Sequence, residues 1–263
     1  MTEKAGGKDS KKKKTEDPNE KVKPKYVSRK GFVTVKVRRG FTEIESIYKL
    51  FRTQIEYGRC SICGGYVRYM CSPSTSPSKP GDLDMYFKNW DEYDAAKEIF
   101  TKEGFEIKFE NDVSLAFKLI SDVDNPHFGS PVIQLIKPII DGAIMAVGEM
   151  EDIIKNFDFT VVRCGLISST LARVDADFMH DEAVKVLRIK NIHCPVSSTL
   201  RCMKYSRKGY WLPPLQCCRL FLDWEDRDDD YREKIYRFLV EADKGKGLTR
   251  TEIEEMERLM RID

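Results

Sequence analysis

Residues 82–87, Asp-Leu-Asp-Met-Tyr-Phe, alternate between polar or amphipathic and apolar side chains. Successive side chains of a strand leave on opposite faces, so Leu83, Met85 and Phe87 must be buried on one side while Asp82 and Asp84 project from the other. The chain therefore needs a sheet covered on at least one face, with two carboxylates two residues apart on the face turned away. Charges held that close repel each other unless a divalent cation sits between them. The plainer alternative is a solvated edge carrying two accidental acids.

The rest of the chain supplies such a sheet. Gly31–Val37 alternates as a strand, and a helix follows in which Ile44, Ile47, Phe51 and Ile55 recur at helical spacing behind a capping box, Thr42 and Glu45. Arg59–Cys63 reads as a short strand, residues 71–81 as a Ser/Pro/Gly loop, and Asp91–Gly104 as a helix. Strands are expected over 105–120, 132–136 and 157–162, with a helix over 148–156. From Asp181 the pattern is mainly helical, with breaks at Pro195, Pro213-Pro214 and Gly245–Gly247, and a last helix opening on Thr249 and Glu252. The fold class is α/β (α+β): a mixed sheet followed by a helical C-terminal region.

Charge separates the ends. Residues 1–25 hold nine lysines and five acids, a net of +4 against +2 for all 263 residues. With almost no apolar residues, segment 1–27 is expected to be a disordered tail, either solubilising or weakly attracted to polyanions such as RNA. The domain reading is 1–27 tail, 28–175 catalytic unit and 176–263 helical region. No apolar run approaches the ~20 residues of a membrane span, and the N-terminus lacks a secretory apolar segment. A cytoplasmic location (that of the host if the protein is viral), with eight cysteines as thiols, is expected.

Three features bear on chemistry. Gly64-Gly65 sits where a short strand turns into a helix, letting backbone approach an anion closely; alone it is an ordinary turn. Asp82 and Asp84 share a strand face. Asp158, flanked by Phe157 and Phe159, fits an acid pointing from a buried strand into a cleft. Three carboxylates together would hold two Mg²⁺ ions, which clamp the attacking and leaving oxygens of a phosphoryl or nucleotidyl transfer. Further on, Arg201, Lys204, Tyr205 and Lys208 fall at i, i+3, i+4 and i+7, one helix face on which cations could meet a triphosphate and an aromatic could stack on a base. The same stripe would also serve as a solvated face with Tyr205 packed inward.

Gly64, Gly65, Val67 and Arg68, then a loop, Asp82-x-Asp84 in a strand and a later Asp158 resemble the nucleotidyltransferase superfold, most closely the tRNA CCA-adding enzymes and bacterial poly(A) polymerases. That family carries Gly-Gly-x-Val-Arg-acidic before Asp-x-Asp; here Tyr69 stands in place of the acid, and sixteen residues separate Gly65 from Asp82. The compact layout is similar to stand-alone nucleotidyltransferase-like proteins of large phages. The resemblance implies a nucleotidyltransferase-like catalytic domain over 28–175. Gly64 and Gly65 would hold the triphosphate and Arg68 would help bind the nucleotide. Asp82, Asp84 and Asp158 would serve as catalytic metal ligands, with two Mg²⁺ as cofactors. In the resembled family, basic residues on a later helix contact the nucleotide, the role assigned here to Arg201, Lys204 and Tyr205. A nucleoside monophosphate would pass from an NTP to an acceptor hydroxyl, by default an RNA 3′ end, with release of pyrophosphate. A catalytically inactive nucleotide- or RNA-binding module on the same fold is the alternative.

Other signals point nowhere specific. Cys60-x-x-Cys63 has zinc-knuckle spacing without a second pair, so buried thiols are expected. None of His127, His180 and His193 forms a recognisable nucleophile–base pair, and the acid run Asp223–Asp230 reads as a solvated cluster.

Overall fold

The computed structural model describes residues 31–119, 131–141, 144–145 and 147–243. The Lys-rich tail, His127 and the helix expected from Thr249 lie outside them. In chain order the elements are β1 (Phe32–Lys36), α1 (Glu45–Glu56), β2 (Cys60–Cys63), α2 (Gly65–Cys71), β3 (Asp82–Phe87), α3 (Trp90–Lys102), β4 (Phe105–Glu110), β5 (Ser114–Leu119) and β6 (Val132–Ile136). A short hairpin, β7 (Ile140–Asp141) and β8 (Ile144–Met145), leads to α4 (Met150–Lys155), β9 (Cys164–Leu166) and β10 (Leu171–Asp175). The helices α5 (Phe178–Val184), α6 (Pro195–Ser206), α7 (Pro214–Glu225) and α8 (Asp229–Asp243) follow.

Eight strands form one sheet in the order β1-β10-β9-β2-β3-β6-β5-β4, and the sheet is mixed, as expected. The β3–β6 pair is parallel and the other pairings are antiparallel. The alternation of β3 holds: Leu83, Met85 and Phe87 are buried, while Asp82, Asp84 and Tyr86 are half-buried on the opposite face. The buried side meets α1, α2 and α3 in the main core, where the rings of Phe51, Phe100 and Phe117 stack at 5.0 and 5.2 Å. Fully burying each such ring contributes roughly 1.5–3 kcal/mol.

The other face is covered by α4 through Met150 and Ile154. It comes close enough only because residue 165 is glycine: a Cβ there would lie 2.5 Å from Met150 Sδ and 3.2 Å from Cys63 Sγ. Arg163 ties α4 down, donating to the carbonyls of Ile154 (3.2 Å) and Lys155 (2.8 Å) while pairing with Asp175 at 2.8 Å. A separate small core, built on Phe159, Leu187, Ile189, Tyr205, Tyr210 and Leu220, belongs to the helical region. Among the described residues no helix is long and apolar enough to cross a membrane.

Two local expectations fail. The Thr42–Glu45 capping box does not form: α1 starts at Glu45 with Ile44 as its N-cap and no side-chain cap. Ile44 is fully buried, so core packing sets the helix entry. Residues 157–162 are not a strand either. Phe159 makes an isolated bridge to Ile189, and Thr160–Val162 is a 3-10 turn. The amides of Lys190 and Thr160 exchange bonds across this segment, Lys190 to the Asp158 carbonyl (2.7 Å) and Thr160 to that of Arg188 (3.1 Å), which holds it against the loop before α6.

Candidate active site

The site grows from the end of β2. Cys63 lies in register with Asp84 on β3, and the next residue, Gly64, turns the chain into α2 with φ 80° and ψ −139°. Only glycine adopts that conformation without strain. The turn runs directly beside β3, since a Cβ on Gly64 would sit 3.4 Å from Asp84 Oδ2 and 3.6 Å from Phe157 Cε2. The Gly64 amide donates to the Cys164 carbonyl at 2.9 Å, so it is committed to the sheet. The first amides of α2, from Gly65 onward, are the ones that a helix start leaves without intrahelical partners.

Arg68 departs from its expected role. It is 1% exposed, and its guanidinium donates to Glu182 (3.3 Å), the Tyr210 hydroxyl (2.9 Å) and the Ser78 carbonyl (2.8 Å). Nε has no hydrogen-bond partner among the described residues. The rings of Tyr205 and Tyr210 flank the guanidinium carbon at 5.9 Å each. Buried and multiply bonded, Arg68 is a strut rather than a nucleotide contact. The acid paired with Arg68 is Glu182 of α5, which also accepts from Ser72 (2.7 Å), Lys185 (2.8 Å) and Tyr210.

Tyr205 is corrected in the same way. At 7% exposed, it packs edge-on against Phe159 (5.8 Å) and Tyr210 (5.2 Å), the inward alternative, and offers no free face to a base. Lys204 stays exposed. Lys208 lies beyond the end of α6, half-buried, with its ammonium 5.3 Å from the centre of the Tyr205 ring. Burial pulls its pKa down, the cations Arg68 and Lys204 add to the shift, and Asp82 opposes it. This places Lys208 in the field of both cations and of Asp82.

Asp158 is 5% exposed and closes on α6 instead of opening into the cleft. Its Oδ2 accepts from Arg201 (3.2 Å) and Ser198 (3.4 Å), and its Oδ1 from the Phe159 amide (3.1 Å). Among the described residues no three His, Cys, Asp or Glu side chains are arranged to hold a metal ion. The expected three-carboxylate, two-ion centre does not fit this arrangement. Asp82 and Asp84 do fit one Mg²⁺, an ion commonly bound through one or two carboxylates together with substrate phosphates and water. Of the residues expected at the site, the structure gathers Gly64, Gly65, Asp82 and Asp84 at one turn and joins Arg201 to Asp158. Glu182, Ser198 and Tyr210 carried no local signal.

The thiols behave as expected. Cys60, Cys63, Cys71, Cys164 and Cys202 are buried and unpaired, and burial pushes their pKa values up, those of Cys71 and Cys202 to about 12. Alkylation needs the thiolate, so at pH 8 iodoacetamide should label exposed Cys218 first and spare these five until denaturant is added. Rapid labelling of Cys60 or Cys63 in the native protein, read by peptide mass mapping, would contradict the packing described.

A family model described as Gabija anti-defense 2 family protein matches residues 35–185. No curated protein matches the chain. Among solved structures, a tRNA-processing enzyme with CTP is similar at 18% identity and TM-score 0.45, over 65% of this chain and 44% of that one. A Thermotoga maritima CCA-adding enzyme complexed with tRNA is similar at 14% identity and TM-score 0.43, over 71% of this chain and 45% of that one. A CCA-adding enzyme with CTP gives 12% identity and TM-score 0.48, over 88% and 71%. The chain thus spans less than half the length of the first two.

Proposed function

The chain belongs to the Gabija anti-defense 2 family, and we propose that it is a divalent-cation-dependent nucleotidyltransferase whose centre is Asp82 and Asp84 beside the Gly64–Gly65 turn. One observation carries this reading: both aspartates leave the same half-buried face of β3, and Asp84 Oδ2 lies against the turn that opens α2. A bound cation would relieve the repulsion between the two carboxylates.

The residues divide the work. Asp82 and Asp84 would hold one Mg²⁺ together with the phosphates of the incoming nucleotide. Gly64 and Gly65 let the phosphates approach the backbone, and Lys204 and Lys208 supply positive charge from the end of α6. The bound ion would neutralise charge developing on the transferring phosphoryl group. The acceptor hydroxyl gives up its proton to water as its oxygen bonds to the α-phosphorus, the bond from that phosphorus to the β-phosphate oxygen breaks, and pyrophosphate leaves. Arg68, held by Glu182 and Tyr210, fixes α2 against α5. The catalytic unit is taken as 28–175 and the helical region as 176–263, with an RNA 3′ end as the default acceptor. The anti-defense role in the family description is taken as the setting in which the transfer is used.

The direct test incubates the full chain with each α-labelled NTP and Mg²⁺, with and without RNA. Label is expected in RNA or another acceptor, and EDTA should abolish it. Label that stays in NTP under every condition, with no NTP bound, would overturn the proposal. The Arg201–Asp158 pair favours a second reading, an inactive nucleotide-binding module. Nucleotide binding that needs no divalent ion and yields no pyrophosphate would select it.

A further inference from the structure

Building on that reading of the site, we infer that the Arg201 guanidinium takes the place of a second metal ion at Asp158, so that the centre works with a single divalent cation. Asp158 is nearly inaccessible, and a buried carboxylate without a counter-charge is strongly unfavourable. Three donors meet that need here: Arg201 at 3.2 Å and Ser198 at 3.4 Å on one oxygen, and the Phe159 amide at 3.1 Å on the other. Both oxygens are therefore engaged before any ion arrives.

The arrangement is built into the fold. Arg201 and Ser198 stand one turn apart on α6, and one turn further Tyr205 is locked among Phe159, Tyr210 and Arg68. Phe159 is also the residue after Asp158, so the helix and the carboxylate share one small core. The core thus fixes the helix turn from which Arg201, itself 38% exposed on its side chain, reaches Asp158. Lys204 and Lys208, by contrast, have no carboxylate in an ion pair among the described residues, and Lys208 lies in the field of Asp82. Of the cations on and just after α6, Arg201 is therefore paired with Asp158, while Lys208, over the Tyr205 ring, lies in the field of Asp82. Two charges on β3 are matched by one divalent ion, and the third carboxylate by the arginine.

The test counts ions on the full chain. Free Mn²⁺ is measured by electron paramagnetic resonance in the presence of each of the four α,β-methylene nucleoside triphosphates, so no transfer confuses the count. The wild type is expected to bind one Mn²⁺ per chain. Arg201→Gln, which exposes Asp158 to metal, should raise this to two, and Arg201→Lys, which keeps the charge, should hold it at one. A wild type that binds two overturns the inference and leaves the Asp82–Asp84 site standing. An Arg201→Gln protein that melts cooperatively yet binds one also overturns it. No Mn²⁺ on the wild type overturns the site reading and this inference together.

Discussion

Glu182→Ala is expected to cost about 3–5 kcal/mol of stability, because it leaves the Arg68 guanidinium buried with its charge unmatched. The side chains of Arg68 and Glu182 are 1% and 0% exposed, so solvent cannot make good the loss. The same substitution removes the acceptor for Ser72 and Lys185. For a chain of this size such a loss lowers the melting temperature by on the order of 10 °C. Lys185→Met is the control: that ammonium is 26% exposed on its side chain, so its loss should cost well under half as much. Calorimetry of both variants checks this, and a Glu182→Ala protein melting within about 2 °C of the wild type would show that the network does not hold α2 to α5.

The second large effect is on activity alone. Asp84→Asn keeps shape and size while removing the charge that would hold the divalent ion. Metal-borne charge stabilisation is worth several kcal/mol, and each 1.36 kcal/mol is tenfold, so transfer should fall by about 10³-fold. Asp82→Asn should behave alike. Asp82→Asn opens no cavity and relieves repulsion between neighbouring like charges, so its melting temperature should move by no more than about 2 °C. Transfer measured from α-labelled NTP alongside thermal melting separates the two effects. Undiminished transfer in both variants would remove β3 from the chemistry.

Local features were legible wherever side-chain period decides the outcome. The alternation of Asp82–Phe87 and the apolar face of Tyr93, Ala96 and Phe100 on α3 follow from strand and helix geometry, and the structure keeps both. The Gly64 turn was legible because few residues other than glycine take a positive φ. What failed depended on distant partners. Arg68 meets Glu182 across 114 residues, and nothing in Tyr69 announces that acid. Asp158 between two aromatics resembles a strand, yet its backbone bonds to the segment at Lys190 and its carboxylate to α6. On α6 the spacing rightly put Arg201, Lys204 and Tyr205 on neighbouring positions. Periodicity, however, does not say whether an aromatic on that face looks into a core or out of it.

The proposed site is defined in space, with Asp82 and Asp84 together forming the cation position next to the Gly64–Gly65 turn. It is tested most directly by anomalous diffraction from crystals of the full chain grown with Mn²⁺ and an α,β-methylene nucleoside triphosphate. One anomalous peak is expected, coordinated by the carboxylates of Asp82 and Asp84 and by phosphate oxygens of the nucleotide. Nucleotide bound elsewhere, or bound with no peak at those two aspartates, would contradict it.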